Sequence, residues 1–338
     1  MGVEIERLDH DDAKAVAGLT DLHEAIRVAD APFQHRQSVE MVAADLRYNH
    51  DQEPSEHYLA RVGGEVAGFG ALYAGSWDNL DVAWLQGGVH PSHRGRGIGS
   101  ALQEHLHARC LELGRPSIGA DAWEGTPGTA FLENRGYDKK SQAILRRQRL
   151  ASLPQGRVEA LRDHALQRAG DYELLFLDGA LPEEILEDYC RMAASINDAP
   201  LDDLELEDDV YDPRRTRLVE EAQQGRNRDH LRVAARHRGT GELGGHTEVV
   251  VERWDPAVAY QFDTAVAPAH RGHRLGLLLK SAMVLWLRER NPEVRTVDTW
   301  NAESNGFMIE VNEQLGYEVV ARELQFQRRL PGSRPTVH

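Results

Sequence analysis

The chain has 338 residues and carries 39 Lys and Arg against 55 Asp and Glu, a formal net charge of −16. That length suits two domains of ordinary size, each able to bury a core. The charge argues against a general nucleic-acid binder or an anionic-membrane protein and favours cationic small-molecule partners. Its two cysteines, Cys110 and Cys190, fall inside helical patterns in different halves, so they read as packing residues and no disulfide framework is expected. The first residues lack a signal peptide's apolar core and no run approaches a membrane span, so the expected location is the cytoplasm.

In chain order, residues 3–8 alternate as a strand. Asp9 to Asp12 then cap a helix with Ala15, Val16, Leu19 and Leu22 on one face. A second helix is expected over 39–48. Strands over 58–62 and 66–73 flank the hairpin signal Gly63-Gly64, and a further strand runs over 82–89. That strand feeds the glycine-rich turn Val89-His-Pro-Ser-His-Arg94-Gly95-Arg96-Gly97-Ile98-Gly99. Behind the turn, Ile98, Leu102, Leu106 and Cys110 recur at helical spacing until Gly114, Arg115 and Pro116 stop the helix. A strand over 117–123, a short helix through 131–134 and a strand over 141–150 complete a first domain, residues 1–150. Residues 151–170 are expected to be a charged linker, partly helical over 157–168.

The second domain, residues 171–330, repeats the plan. It opens with a strand over 172–177 and a helix over 182–197, followed by an acid-rich run over 198–212 that contains no basic residue and is read as a solvated loop. A helix over 213–224 precedes strands over 231–237, 243–252 and 258–266. Next come a second glycine-rich turn, a helix over 275–290, a strand over 294–300, a helix over 306–315 and a strand over 317–328. The tail, 331–338, is expected to be disordered. The second turn reads Val266-Ala-Pro-Ala-His-Arg271-Gly272-His273-Arg274-Leu275-Gly276. In the same register Gly64-Glu65-Val66-Ala67-Gly68 pairs with Gly241-Glu242-Leu243-Gly244-Gly245, and Asp121-Ala122-Trp123 with Asp298-Thr299-Trp300. Asn134-Arg135-Gly136-Tyr137 answers Gln314-Leu315-Gly316-Tyr317. Matched landmarks in one order indicate a duplicated α/β domain.

A turn of this kind aims backbone N–H groups and the positive end of a helix dipole at one point, a geometry that suits a phosphate or pyrophosphate. Glycine permits positive φ and close approach, and Arg94 or Arg96 can add charge-assisted hydrogen bonds. The histidines form no metal set: His90 and His93, like His105 and His107, have no acidic or Cys partner at ligand spacing. Trp123 and Trp300 read as core residues.

With strand, V-x-P-x-x-R-G-x-G-x-G turn, helix, strand, and a helix ending in Gly-aromatic before a last strand, each half resembles the Gcn5-related N-acetyltransferase (GNAT) superfamily. The tandem arrangement is similar to that of actinobacterial two-domain members such as mycothiol synthase. The resemblance implies an acetyl-CoA-dependent N-acetyltransferase. Its glycine turn holds the pyrophosphate of acetyl-CoA, adjoining strands splay to admit pantetheine, and a small-molecule amine attacks the thioester directly. An alkylammonium has a pKa of about 10, so a carboxylate base is needed.

On this reading the C-terminal half does the chemistry. Asp263, with Glu248, is the expected base; Val266, Arg271, Gly272, His273, Arg274, Leu275 and Gly276 form the pyrophosphate turn, and Asn305 stands at the family's pantetheine position. Arg274, in place of the glycine equivalent to Gly97, either grips a phosphate or blocks close approach. Asn312 replaces the family's leaving-group Tyr. His246 reads as an ordinary strand histidine. The N-terminal half keeps Val89, Arg94, Gly95, Arg96, Gly97, Ile98 and Gly99 for acetyl-CoA, but Gln86, Gly125 and Leu132 leave it no base, pantetheine Asn or Tyr. It is therefore expected to bind cofactor structurally or complete the acceptor cleft. The favoured acceptor is a cationic small amine, such as an aminosugar or specialised metabolite. The rival readings are a mycothiol-synthase-like enzyme and a non-catalytic acyl-CoA-binding regulatory protein.

Overall fold

The computed structural model describes residues 2–331. The expected disordered tail lies almost wholly outside the described residues. Helix α1 (Ala13–Asp30) starts where the Asp12 carboxylate accepts hydrogen bonds from the Lys14 and Ala15 amides, and it buries Ala15, Val16, Leu19 and Leu22. Helix α2 (Val39–Tyr48) follows, and the strands β1 (Glu4–Arg7), β2 (Ser55–Val62), β3 (Glu65–Tyr73) and β4 (Val82–Val89) pair antiparallel in sequence. Helix α3 (Ile98–Glu112) buries its Ile98, Leu102, Leu106 and Cys110 stripe and leads to β5 (Ser117–Trp123), parallel to β4. Then come α4 (Pro127–Asn134) and β6 (Asp138–Arg149).

The second half begins with α5 (Arg157–Leu166), β7 (Tyr172–Asp178), α6 (Glu183–Ala193) and α7 (Pro213–Gly225). Strands β8 (Arg228–His237), β9 (Leu243–Glu252) and β10 (Val258–Val266) form its antiparallel part. Helix α8 (Leu275–Arg290) is buried nearly all round, as its largely apolar sequence demands, and precedes β11 (Thr296–Ala302), parallel to β10. Helix α9 (Gly306–Gln314) and β12 (Tyr317–Arg329) end the fold.

Two compact units result, and they are not the two contiguous stretches expected from the sequence. Unit 1 takes the chain up to Ala143, Leu201–Asp208, and the chain from Ala321 onward; unit 2 takes Ile144–Pro200 and Asp209–Val320. Unit 1 has the strand order β1-β2-β3-β4-β5-β12, with Glu323–Arg329 of β12 antiparallel to Trp123–Ser117 of β5. Unit 2 has the order β6-β11-β10-β9-β8-β7. Each half therefore gives its final strand to the other's sheet. The boundary expected at residue 150 is corrected accordingly, and so is the linker over 151–170. Val158, Ala165 and Ala169 are fully buried in the unit 2 core, so this segment is packed structure.

The acid-rich run is not a free loop either. Its middle is tied down within unit 1: the Asn79 amide donates to Glu207, the Glu207 amide to Asn79, and Ser141 Oγ to Asp202 (2.6 Å). Cys110 and Cys190 are buried free thiols.

Candidate acetyl-CoA clefts and active site

In each unit a pair of parallel strands runs together and then parts. β4 and β5 are paired from Val82 with Ser117 to Leu85 with Ala120, and β10 and β11 from Val258 with Thr296 to Tyr260 with Asp298. Beyond those points the strands diverge, and each gap opens into a cleft that ends at a glycine-rich turn. The unit 1 cleft has a volume of about 440 Å³ and is lined by Gln86 to Val89, the turn, and Phe131 and Tyr137 across from it. The unit 2 cleft, about 680 Å³, is lined by Thr264 to Val266, the second turn, Asn305 and Phe307. A smaller pocket of about 150 Å³ shares Thr264, Asn305 and Met308 with it and is walled by Asp263, Lys280, Thr299 and Asn301.

The turns present their amides in the same way. Gly97 is the N-cap of α3 at φ +83°, with no side chain to satisfy the first amides of the helix. A Cβ added to Gly95 or Gly97 meets no atom within 4 Å, so the space over these amides is open to a ligand. In the second turn Arg274 holds the equivalent N-cap position of α8 with φ 58° and ψ 27°, the left-handed region that glycine occupies in the first. The backbone cradle therefore survives the loss of the glycine, at a strain cost of about 1 kcal/mol. The Arg274 guanidinium contacts His164 of α5, and both line the cleft. Open helix N-termini of this form fit an anionic diphosphate.

The first arginine of each turn is bonded to an acid and to a strand carbonyl. Arg94 donates two hydrogen bonds to the Asp30 carboxylate (2.9 and 2.6 Å) and one to the Val89 carbonyl (3.2 Å). Arg271 repeats this on the Val266 carbonyl (3.2 Å) and Asp198. Arg94 thus ties the end of β4 to Asp30, the last residue of α1, and Arg271 ties the end of β10 to Asp198, in the segment after α6; both arginines also line their clefts. Arg96 is exposed, and Arg274 lines the unit 2 cleft.

Asp263 and Glu248 also part company. β9 and β10 are in register from Ala259 to Gln261 and again from Thr264 to Val266, with Phe262 and Asp263 facing the single residue Glu248. This β-bulge turns Asp263 into the small pocket. Burial and the nearby Glu248 charge push the Asp263 pKa up to about 6, against the Tyr211 hydroxyl, which donates to it at 2.9 Å. Burial alone would raise Glu248 too, but His230 (2.5 Å) and Arg232 (3.5 Å) outweigh it and hold Glu248 well below the usual carboxylate range. The Arg232 guanidinium also contacts Glu220 (3.1 Å). Glu248 is thus a locked structural anion with little basicity, which corrects its expected role as a second base.

Asn305 caps α9, its Oδ1 accepting from the Met308 amide (3.2 Å), while still lining both the cleft and the small pocket. Asn312 is fully buried and donates to Asn301 Oδ1 at 2.6 Å. His246 is buried against the Tyr189 hydroxyl (2.6 Å), and burial lowers its pKa to about 4, which keeps the ring neutral. Trp300 is not a core residue: it is exposed, stacks on Tyr260, and lines the small pocket. Trp123 meets Phe33 edge-on and is half-buried. In unit 1 the position of Asp263 is held by exposed Gln86, which receives a long hydrogen bond from Tyr73 (3.4 Å), and β4 pairs with β3 without a bulge. Sequence reasoning missed Tyr211 and Lys280. The first was hidden in an acid-rich run, while the second had a visible signal, a lone lysine in the Leu275–Leu287 apolar stretch.

The profile of the Acetyltransferase (GNAT) family matches residues 22–137. Acetyltransferase SG1711 of Sodalis glossinidius is 33% identical over 116 residues, 34% of this chain and 72% of that protein. The chain belongs to the acetyltransferase (GNAT) family. Among particular relatives, a mycothiol acetyltransferase from Parafrankia sp. is 32% identical over 146 residues, 43% of this chain; the match spans only 42% of that protein. A solved structure described as a tandem GNAT protein from the clavulanic acid biosynthesis pathway superposes over 99% of this chain and 100% of its own, with a TM-score of 0.79 and 26% identity. The GCN5-related N-acetyltransferase from Sphaerobacter thermophilus has the same fold at 16% identity, with a TM-score of 0.72 over 99% of this chain and 97% of its own. The tandem GNAT architecture read from the sequence is that of the first of these structures.

Proposed function

We propose that the protein is an acetyl-CoA-dependent N-acetyltransferase acting on a small-molecule amine, with the chemistry in unit 2. When bound, acetyl-CoA supplies the activated acetyl thioester. The second turn, with Gly272, Arg274 and Gly276, would hold its diphosphate, and Asn305 the pantetheine arm. The observation that carries this reading is the bulge that turns Asp263 into a pocket at the parting of β10 and β11. With a pKa of about 6, Asp263 is ionised at neutral pH yet basic enough to accept the proton lost by an attacking amine. Unit 1 offers an open glycine cradle and an apolar cleft but no carboxylate at the corresponding place, which supports cofactor binding without turnover there.

The pocket volume favours a small acceptor over a peptide, and the overall charge of −16 favours a cationic one. Incubation of the protein with acetyl-CoA and a panel of small amines, followed by thiol release, tests the proposal. Transfer to at least one amine is expected, and absence of transfer to all, with intact coenzyme binding, would favour the non-catalytic reading. A mycothiol-acetyltransferase-like activity is the second reading, favoured by the 32% identity to that relative.

A further inference from the structure

Lys280 sits in the second turn of α8 and is 2% exposed. Among the described residues its ammonium makes no hydrogen bond or ion pair; it lies 4.9 Å above the centre of the Tyr317 ring. A lysine this deep without an anion is costly, and proteins retain such groups where an anion arrives during function. What it does face is the small pocket, whose wall it shares with Asp263, Thr299 and Asn301. The matching residue of unit 1 is Gln103, which donates to the Tyr137 hydroxyl at 3.3 Å, so the lysine is not required by the packing of this helix on this sheet.

The pocket's two ionisable walls are shifted toward each other. Burial lowers Lys280 to about 7 and raises Asp263 to about 6. The remaining titratable groups nearby are committed: Tyr317 is pushed well above its ordinary value, chiefly by burial, and Asp298 is held by two hydrogen bonds of 2.6 Å from Arg147. Near neutrality this leaves one group able to take a proton and one able to give it.

We propose that Lys280 faces the sulfur of the coenzyme and delivers the proton that the departing thiolate requires. The inference rests on unit 2 being the site of acetyl transfer. The amine nitrogen forms the new bond to the acetyl carbonyl carbon and loses a proton to Asp263. As the carbon–sulfur bond breaks, its electron pair stays on sulfur, which takes a proton from the Lys280 ammonium. Neutral Lys280 and protonated Asp263 then re-equilibrate through solvent, so protons and charge balance over one turnover. Asn312, whose amide is bonded to Asn301, carries no acidic proton for this step.

The direct test needs no turnover. Coenzyme A is bound to the wild type and to Lys280→Met, and the thiol is titrated by its ultraviolet thiolate absorbance. The difference between the two proteins reports the unit 2 site alone, whatever unit 1 holds. The expected result is a thiol about tenfold more ionised near neutral pH in the wild type than in the variant, with coenzyme affinity little changed. Identical titration curves would overturn the proposal. Lys280→Gln, which carries the residue that unit 1 uses at this place, provides a second variant if the first is poorly folded. In turnover assays both variants are expected to lose about a hundredfold in kcat at constant KM for acetyl-CoA. Unchanged kcat in both, with Asp263→Asn inactive, overturns the donor role alone. An inactive wild type instead counts against the catalytic reading, while the thiol titration still decides the position of Lys280.

Discussion

Arg94 and Asp30 are joined by two hydrogen bonds, of 2.9 and 2.6 Å, that tie the glycine turn of unit 1 to the end of α1. Arg271 and Asp198 stand in the same relation in unit 2. In both, the arginine also holds the carbonyl of the last strand residue, so it sets where the turn begins. The arginine is part of the cradle's frame.

Asp30→Ala should therefore cost about 1–3 kcal/mol, the range for losing charge-assisted hydrogen bonds at a partly buried arginine. The variant should still bind coenzyme A, since the amides remain. Urea unfolding measures the first effect and calorimetric titration the second. Loss of binding at unchanged stability would mean that Arg94 contacts phosphate after all.

Arg274→Gly separates strain from charge. Glycine removes the left-handed penalty of about 1 kcal/mol but loosens the unfolded chain by a similar amount, so stability should change by less than about 1 kcal/mol. Coenzyme affinity should fall roughly tenfold and become less sensitive to salt, because a cation at the cleft mouth is gone. Tighter binding would show instead that the side chain obstructs the amides.

Glu248 gives a stability prediction with a definite sign. Its pKa is depressed in the folded state, so its contribution is fully present above the unfolded value of about 4.3 and is lost progressively as pH falls from there toward the depressed folded value. Glu248→Gln leaves Arg232 and His230 buried beside a neutral partner and should cost about 3–5 kcal/mol at neutral pH. The gap between wild type and variant should shrink in acid. Denaturant titrations at neutral pH and about two pH units below the unfolded value check both statements.

Much of the frame was readable from residues alone. The glycines of the two turns, the Ile98-Leu102-Leu106-Cys110 stripe and the Asp12 cap are local signals, and each produced the element it promised. The strand exchange was not readable. β6 and β12 follow the same Gly-Tyr landmark with similar alternation, so nothing within either strand says which sheet it joins; Arg147 meets Asp298, and Glu323 meets Trp123, only in three dimensions. Glu248 was misjudged for the same reason. Alternation with Val249 and Val251 indicates a face of β9, whereas the partners that lock the carboxylate, His230 and Arg232, come from β8. Asp263 was singled out by its place in the repeat, but the bulge that aims it depends on pairing with β9 and leaves no mark in the sequence.

The most direct measurement is the pH profile of acetyl transfer by the wild type and Asp263→Asn. The wild type should lose activity as pH falls through about 6, where Asp263 takes up its proton, and the variant should be slower by about a hundredfold or more at neutral pH while still binding acetyl-CoA. A variant with the wild-type rate and the same acid limb would contradict the assignment of the chemistry to this carboxylate.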